Sequence, residues 1–252
     1  MSRPTPDTVV ETDADRLARA AAEAMVARLA AAQAVHGSAS VVLTGGGIGI
    51  AVLERVAALA AEPVRETVDW EHVHVWWGDE RFVPAADGER NEKQARDALL
   101  SRVGVPEHHI HAMPASDGEF TEPEDAAAWY AGELAAEADG AAVPRLDLLL
   151  LGMGPEGHVA SIFPDSPAVR DDRTVVAVRD CPKPPPTRVS LGFAAINAAE
   201  EVWLLVTGSG KAPAVAAAVA GADPADLPAA GVHGTRATRW LLDQEAAAEL
   251  PG

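Results

Sequence analysis

Residues 146–158 read LDLLLLGMGPEGH, and their pattern sets the fold class. Four consecutive leucines, Leu148 to Leu151, leave no polar face, which suits a central strand buried on both sides, the habit of a parallel sheet. Gly152 ends the run and a glycine-rich turn follows. Working outward, the same alternation recurs. On the N-terminal side, SVVLTG (40–45) and VHVWWGDE (73–80) are strand candidates, followed by a short HIHAM segment (109–113). Helical stretches near Ile50–Ala61 and Glu92–Leu100 separate them, and a helix from Pro123 to about Ala138 precedes the leucine run. On the C-terminal side, TVVAVRD (174–180) and TRVSLGF (187–193) flank a proline-rich loop. EVWLLVTG (201–208) then leads into a helix from Lys211 to about Ala220, and TRWLLD (238–243) predicts a last short strand before a terminal EAAAEL helix. Near the start, Leu17, Ala21, Met25 and Leu29 recur every four residues behind a Thr12 or Asp13 cap, an apolar helical stripe. Strands alternating with helices predict an α/β architecture with a mostly parallel sheet and crossover helices.

The chain has 252 residues, 48% of them hydrophobic, enough for a full core in one domain spanning 1–252. No apolar run approaches the roughly 20 residues of a membrane span. The N-terminus has no basic start followed by an apolar stretch, so no secretory signal is expected and the chain is expected in the cytoplasm. The single cysteine, Cys181, excludes an internal disulfide framework. A net charge of −18 argues against nucleic acid as a partner, because phosphate backbones require clustered Lys and Arg. An anionic small-molecule substrate must therefore be held by a few local cations. No membrane partner is expected, and the chain is expected to be a monomer or a small homo-oligomer.

In open α/β sheets ligands bind beyond the carboxyl ends of the strands, so the residues there are the candidates. Thr44-Gly45-Gly46-Gly47 follows the first strand candidate, and its backbone N–H groups suit a phosphate at a helix N-terminus. Gly78-Asp79-Glu80-Arg81 places two acids and a base at a second strand end. Trp76 and Trp77 before it point to opposite faces and are expected to pack. At the third, Gly152, Gly154 and Gly157 fit the dinucleotide pattern G-x-G-x-x-G, with Asp180 ending a later strand. Pro164 and Pro167 interrupt the long helix which that pattern requires, so a dinucleotide site is not expected. What remains is a glycine turn presenting His158 beside Glu156. Either Glu156 or Asp79 is expected to orient the imidazole. At the fourth, Arg188 and Lys211 are two strand-end cations suited to one phosphate. Gly208-Ser209-Gly210-Lys211 lacks both the glycine spacing and the following hydroxyl residue of a P-loop.

Taken together, T-G-G-G, G-D-E-R-F-V-P, G-M-G-P-E-G-H-V-A-S-I-F-P, P-P-P-T-R-V-S-L and V-T-G-S-G-K, in this order and spacing from Val41 to Trp240, resemble the 6-phosphogluconolactonases of the pentose phosphate pathway. The resemblance implies a three-layer, doubly wound, modified Rossmann-like sheet of the sugar-phosphate isomerase and deaminase type, with no metal and no cofactor. It implies hydrolysis of a phosphosugar lactone, with His158 as the base that activates water. It also implies that Arg188 and Lys211 hold the phosphate, that Gly45 to Gly47 close around it, and that Asp79, Glu80 and Arg81 border the sugar. The chain departs from the family pattern at Glu156, where Asp is common, and at Gly47-Ile48-Gly49, where a Ser-Thr-Pro-like run would supply hydroxyls. The sister glucosamine-6-phosphate deaminases resemble G-H-x-A-F-N-E-P after the same turn, and Ser161-Ile162-Phe163-Pro164 favours the lactonase. A sugar-phosphate-sensing domain without catalysis is a third reading, and it would not require His158.

Overall fold

The computed structural model describes residues 6–62 and 68–251; residues 1–5, 63–67 and 252 lie outside it. In chain order it contains β1 (Asp7–Glu11), α1 (Ala14–His36), β2 (Ala39–Leu43), α2 (Gly46–Ala60), β3 (Val73–Trp77), β4 (Asp79–Arg81), α3 (Asn91–Ala98) and α4 (Pro123–Ala136). There follow β5 (Leu148–Gly152), β6 (Val175–Val178), β7 (Arg188–Leu191), α5 (Phe193–Ile196), β8 (Glu201–Val206), α6 (Ala212–Val219) and β9 (Ala237–Asp243). Six strands form one parallel sheet in the order β1-β9-β8-β5-β2-β3.

The leucine run is β5, an interior strand between β8 and β2, and its alternate side chains feed two separate cores. Leu148 and Leu150 join Val41, Leu43, Trp77 and Trp203 under α1, α2 and α3. Leu149 and Leu151 join Val42, Trp76, Leu204 and Tyr130 on the opposite face. Each fully buried leucine contributes about 1.5–3 kcal/mol, so a polar residue anywhere in this run would be costly. The two tryptophans do pack, one in each core. Helix α1 starts at Asp13, whose carboxylate accepts from the Arg16 N–H at 2.9 Å, and ends at Gly37 in a left-handed cap.

Three expectations are corrected here, and one strand is added. The TVVAVRD and TRVSLGF segments do not join the parallel sheet. They pair antiparallel with each other and with Asp79–Arg81 in a separate three-stranded sheet, β4-β7-β6, that lies with α4 against the second face. The glycine cluster is not a loop preceding a helix at Ile50, because α2 begins at Gly46 and the glycines form its first turn. The last strand of the chain, β9, forms as expected, and an edge strand not expected from the sequence, β1, pairs with it. Residues 245–250 form turns, not a helix. No described helix is long and apolar enough to cross a membrane.

The ladder between β2 and β5 is short: Val41 pairs with Leu148 and Val42 with Leu149, whereas β5 pairs with β8 over five residues. Here the winding direction reverses, β2 leading outward to β3 and β5 leading back to β8 and β9. Beyond Val42 the two strands part, and a crevice opens at their carboxyl ends, as such switch points do. The Thr44 hydroxyl spans it there, accepting from the Gly152 N–H at 3.3 Å.

Candidate active site

All four strand-end segments converge on one cavity of about 390 Å³ at that crevice. Thr44 to Ile48 come from the β2 end, Asp79 and Arg81 from β4, Gly152 to Pro155 and His158 from beyond β5, and Thr207 and Lys211 from beyond β8. Arg188 enters from β7 of the antiparallel sheet, and the proline-rich loop contributes Lys183 and Pro184. No helix follows Gly157 before a short 3-10 turn at Pro167–Arg170, so the dinucleotide pattern has no helix to act with.

His158 lies in the turn after β5, its ring stacked on Phe163 with centroids 4.3 Å apart. Its Nδ1 is 3.0 Å from Glu156 Oε1, and the Lys183 ammonium stands 3.5 Å away. The nearer, charged acceptor assigns the Nδ1 proton, leaving Nε2 unprotonated and without a hydrogen-bond partner among the described residues. Burial pushes the His158 imidazole below its ordinary value and Lys183 adds to the shift, outweighing Glu156 and Asp79, which favour the charged ring. For Glu156 burial acts upward, but its own backbone N–H, His158 and Lys183 prevail and the carboxyl stays below its ordinary range. The site therefore holds a neutral imidazole beside an ionised carboxylate at neutral pH, the arrangement of an oriented general base.

Glu156, and not Asp79, faces the imidazole nitrogen. The buried Asp79 carboxylate accepts from the Ser161 hydroxyl at 2.6 Å, and Arg188 approaches it at 3.8 Å. Asn91 Nδ2 donates to the Asp79 carbonyl at 2.8 Å. Glu80 does not border the cavity, which corrects its expected place beside the sugar. It is fully buried beneath α3, accepting from the N–H groups of Asn91 at 2.7 Å and Glu92 at 2.8 Å, with Arg90 at 3.7 Å. A strand-end acid in a short β4 is thereby diverted into starting the next helix. Arg81 lines the cavity and donates to the Glu89 carbonyl.

Three features suit an anion. Gly45 caps α2 without a side-chain hydrogen bond, so the first N–H groups of a 15-residue helix stay available at its positive end. The glycines supply this without the hydroxyls of the usual run. Lys211 is half-buried, makes no ion pair within 4 Å among the described residues, and is held below its ordinary value by burial and by nearby Lys183. Arg188 is the third, though much of its guanidinium is already engaged. It donates to the carbonyls of Pro185 at 2.6 Å, Pro184 at 3.1 Å and Lys183 at 3.3 Å.

Sequence reasoning missed Lys183, Asn91 and Ser161. Lys183 lay inside the proline-rich loop already marked, and Ser161 inside the block that carries the resemblance. Asn91 carries no motif signal at all.

The family model for glucosamine-6-phosphate isomerases/6-phosphogluconolactonase matches residues 12–240. The chain belongs to this family. Among curated relatives, a 6-phosphogluconolactonase of Mycobacterium tuberculosis is 54% identical over 242 residues, covering 95% of this chain and 96% of the relative. One of Streptomyces coelicolor is 52% identical over 252 residues, covering 98% and 95%. Among solved structures, a 6-phosphogluconolactonase from Trypanosoma brucei superposes with a TM-score of 0.83 at 28% identity, covering 99% of this chain and all of that one. A monomeric glucosamine-6-phosphate deaminase, 18% identical with a TM-score of 0.79, shares the fold.

Proposed function

We propose that the chain hydrolyses 6-phospho-D-glucono-1,5-lactone to 6-phospho-D-gluconate, the lactone-opening step of the oxidative pentose phosphate pathway, with His158 activating water. The observation that carries this reading is the His158–Glu156 pair lining the cavity, Nδ1 engaged and Nε2 unpartnered. Water adds to the lactone carbonyl carbon as Nε2 accepts its proton. The tetrahedral intermediate then collapses with cleavage of the carbon–ring-oxygen bond, and the imidazolium returns a proton to that oxygen. Lys211, Arg188 and the start of α2 would hold the phosphate away from the reacting carbon, so that its binding energy orients the ring. The reaction is placed in the cytoplasm, with residues 1–252 acting as one domain in a monomer or small homo-oligomer.

The test is direct. With freshly prepared 6-phosphogluconolactone, proton release followed at constant pH is expected to run far above the spontaneous rate, and glucosamine 6-phosphate is expected to yield no ammonia. An unchanged rate from folded protein overturns the proposal, and ammonia release transfers the chain to the sister activity.

A further inference from the structure

Lys183 extends from the proline-rich loop over the Glu156 carboxylate, its Nζ 3.1 Å from Oε1 and 3.3 Å from Oε2. The same Nζ stands 3.5 Å from His158 Nδ1. Its backbone is fixed from two sides, because the carbonyl accepts from the Cys181 thiol at 3.1 Å and from Arg188 Nη2 at 3.3 Å. The Cys181 N–H closes the loop on the Pro186 carbonyl at 3.0 Å. A flexible lysine stem is thereby anchored at its base and aimed at one carboxylate, which a solvated surface lysine is not.

A carboxylate that orients an imidazole also favours the imidazolium, which is no base. The geometry points to a resolution of this conflict. We propose that Lys183 is a positioning residue that neutralises Glu156, so that the carboxylate directs the His158 ring while the imidazole remains an unprotonated base. This deepens the proposed reaction and rests on it. The charged groups facing His158 are Glu156 on its own turn, Lys183 on the proline-rich loop and Asp79 on β4. Lys211, Arg188 and Arg81 line the same cavity. Of these, Lys183 is the cation that contacts the His158–Glu156 pair, and it lies on the side that lowers the proton affinity of His158.

The experiment compares Lys183→Met and Lys183→Arg with the wild type. In Lys183→Met the acidic limb of the kcat/KM profile is expected to move up by about one pH unit. Activity is lost near neutrality and recovers to within a few-fold of wild type well above the limb. Lys183→Arg is expected to restore the limb. Heteronuclear NMR titration of the His158 ring, assigned with His158→Gln and recorded without substrate, is expected to show the same upward movement. A loss of equal factor at every pH with an unmoved His158 titration overturns the proposal in favour of a structural role. A raised KM for the phosphorylated lactone alone, again with an unmoved limb, overturns it in favour of phosphate binding. If Lys183→Met fails to fold, the titration of Lys183→Gln decides. Because the titration needs no turnover, it also separates this inference from failure of the proposed reaction.

Discussion

Gly154 leaves no space for a side chain: a Cβ there would stand 2.1 Å from His158 Nδ1 and 2.6 Å from Glu156 Oε2. The glycine is what lets the base and its orienting acid meet over their own backbone. Gly154→Ala is expected to lower kcat by about 10²-fold through misplacement of the imidazole. Its melting temperature should stay within a few degrees of wild type, since the change lies in a turn at the cavity. His158→Ala should cost about 10²- to 10⁴-fold in kcat, the range of a positioned general base; stopped-flow proton release measures both. The two phosphate cations should part company. Lys211, which pairs with no carboxylate among the described residues, should on substitution by Ala lose about 10- to 150-fold in kcat/KM, and lose more on 6-phosphogluconolactone than on gluconolactone. Arg188 also clamps three loop carbonyls, including that of Lys183, so Arg188→Ala should damage both lactones. Equal losses from Lys211→Ala on the two substrates would remove Lys211 from the phosphate.

At the scale of elements, short pieces are placed by single buried groups. Glu80 ends as the acceptor for the first turn of α3, and Asn91, the first residue of that helix, reaches back to Asp79 and closes against Gly45. A Cβ on Gly45 would meet Asn91 Oδ1 at 1.9 Å, which ties the glycine run to α3. Glu80→Ala removes a buried acceptor of several N–H groups and leaves Arg90, itself buried, with one carboxylate partner fewer. A loss of about 3 kcal/mol is expected from urea denaturation, with a smaller loss for Glu80→Gln, which keeps an acceptor. The HIHAM segment is held by the His111 N–H donating to the Val75 carbonyl at 2.9 Å and by Tyr130 and Arg90 donating to the His111 and Met113 carbonyls, and it extends the sheet edge beyond β3.

Across the whole molecule, a histidine cluster outside the cavity lining should set part of the acid stability. His74 Nδ1 and His111 Nε2 are 3.1 Å apart, His109 packs on His74, and His111 stacks on Trp76 at 3.8 Å. Burial lowers all three, with neighbouring histidines adding to it, and pushes His111 down to about 4. Above pH about 6.5 these rings are neutral in both folded and unfolded chains, so they carry no penalty. As the pH falls from there, the unfolded chain binds protons that the folded chain refuses, and stability drops until His111 protonates near pH 4, by something on the order of 3 kcal/mol for His111. His158 contributes with the same sign. Urea midpoints between pH 7.5 and 5.5 should therefore fall with pH in wild type. They should fall less in His111→Phe, which keeps the stack on Trp76; equal slopes would refute the assignment.

The parallel sheet, its buried central strand and the positions of His158 and Lys211 just beyond parallel strands were legible from local pattern. An unbroken apolar run and the glycines that end it report burial and turning through their own chemistry. The antiparallel sheet was not legible, because β4 is three residues long and its pairing with β7 joins positions more than a hundred residues apart. The place of β1 was settled the same way, by the open edge of the distant β9, whereas the fate of Glu80 was settled by the backbone donors at the start of α3. Lys183 illustrates the boundary best: a lysine among prolines carries no periodic signal, and its meaning appears only when the loop is folded over Glu156 and the two charges stand 3.1 Å apart. Local physics writes the strands and turns into the chain, whereas the pairing of charges across them depends on distances that exist only once the sheet has closed.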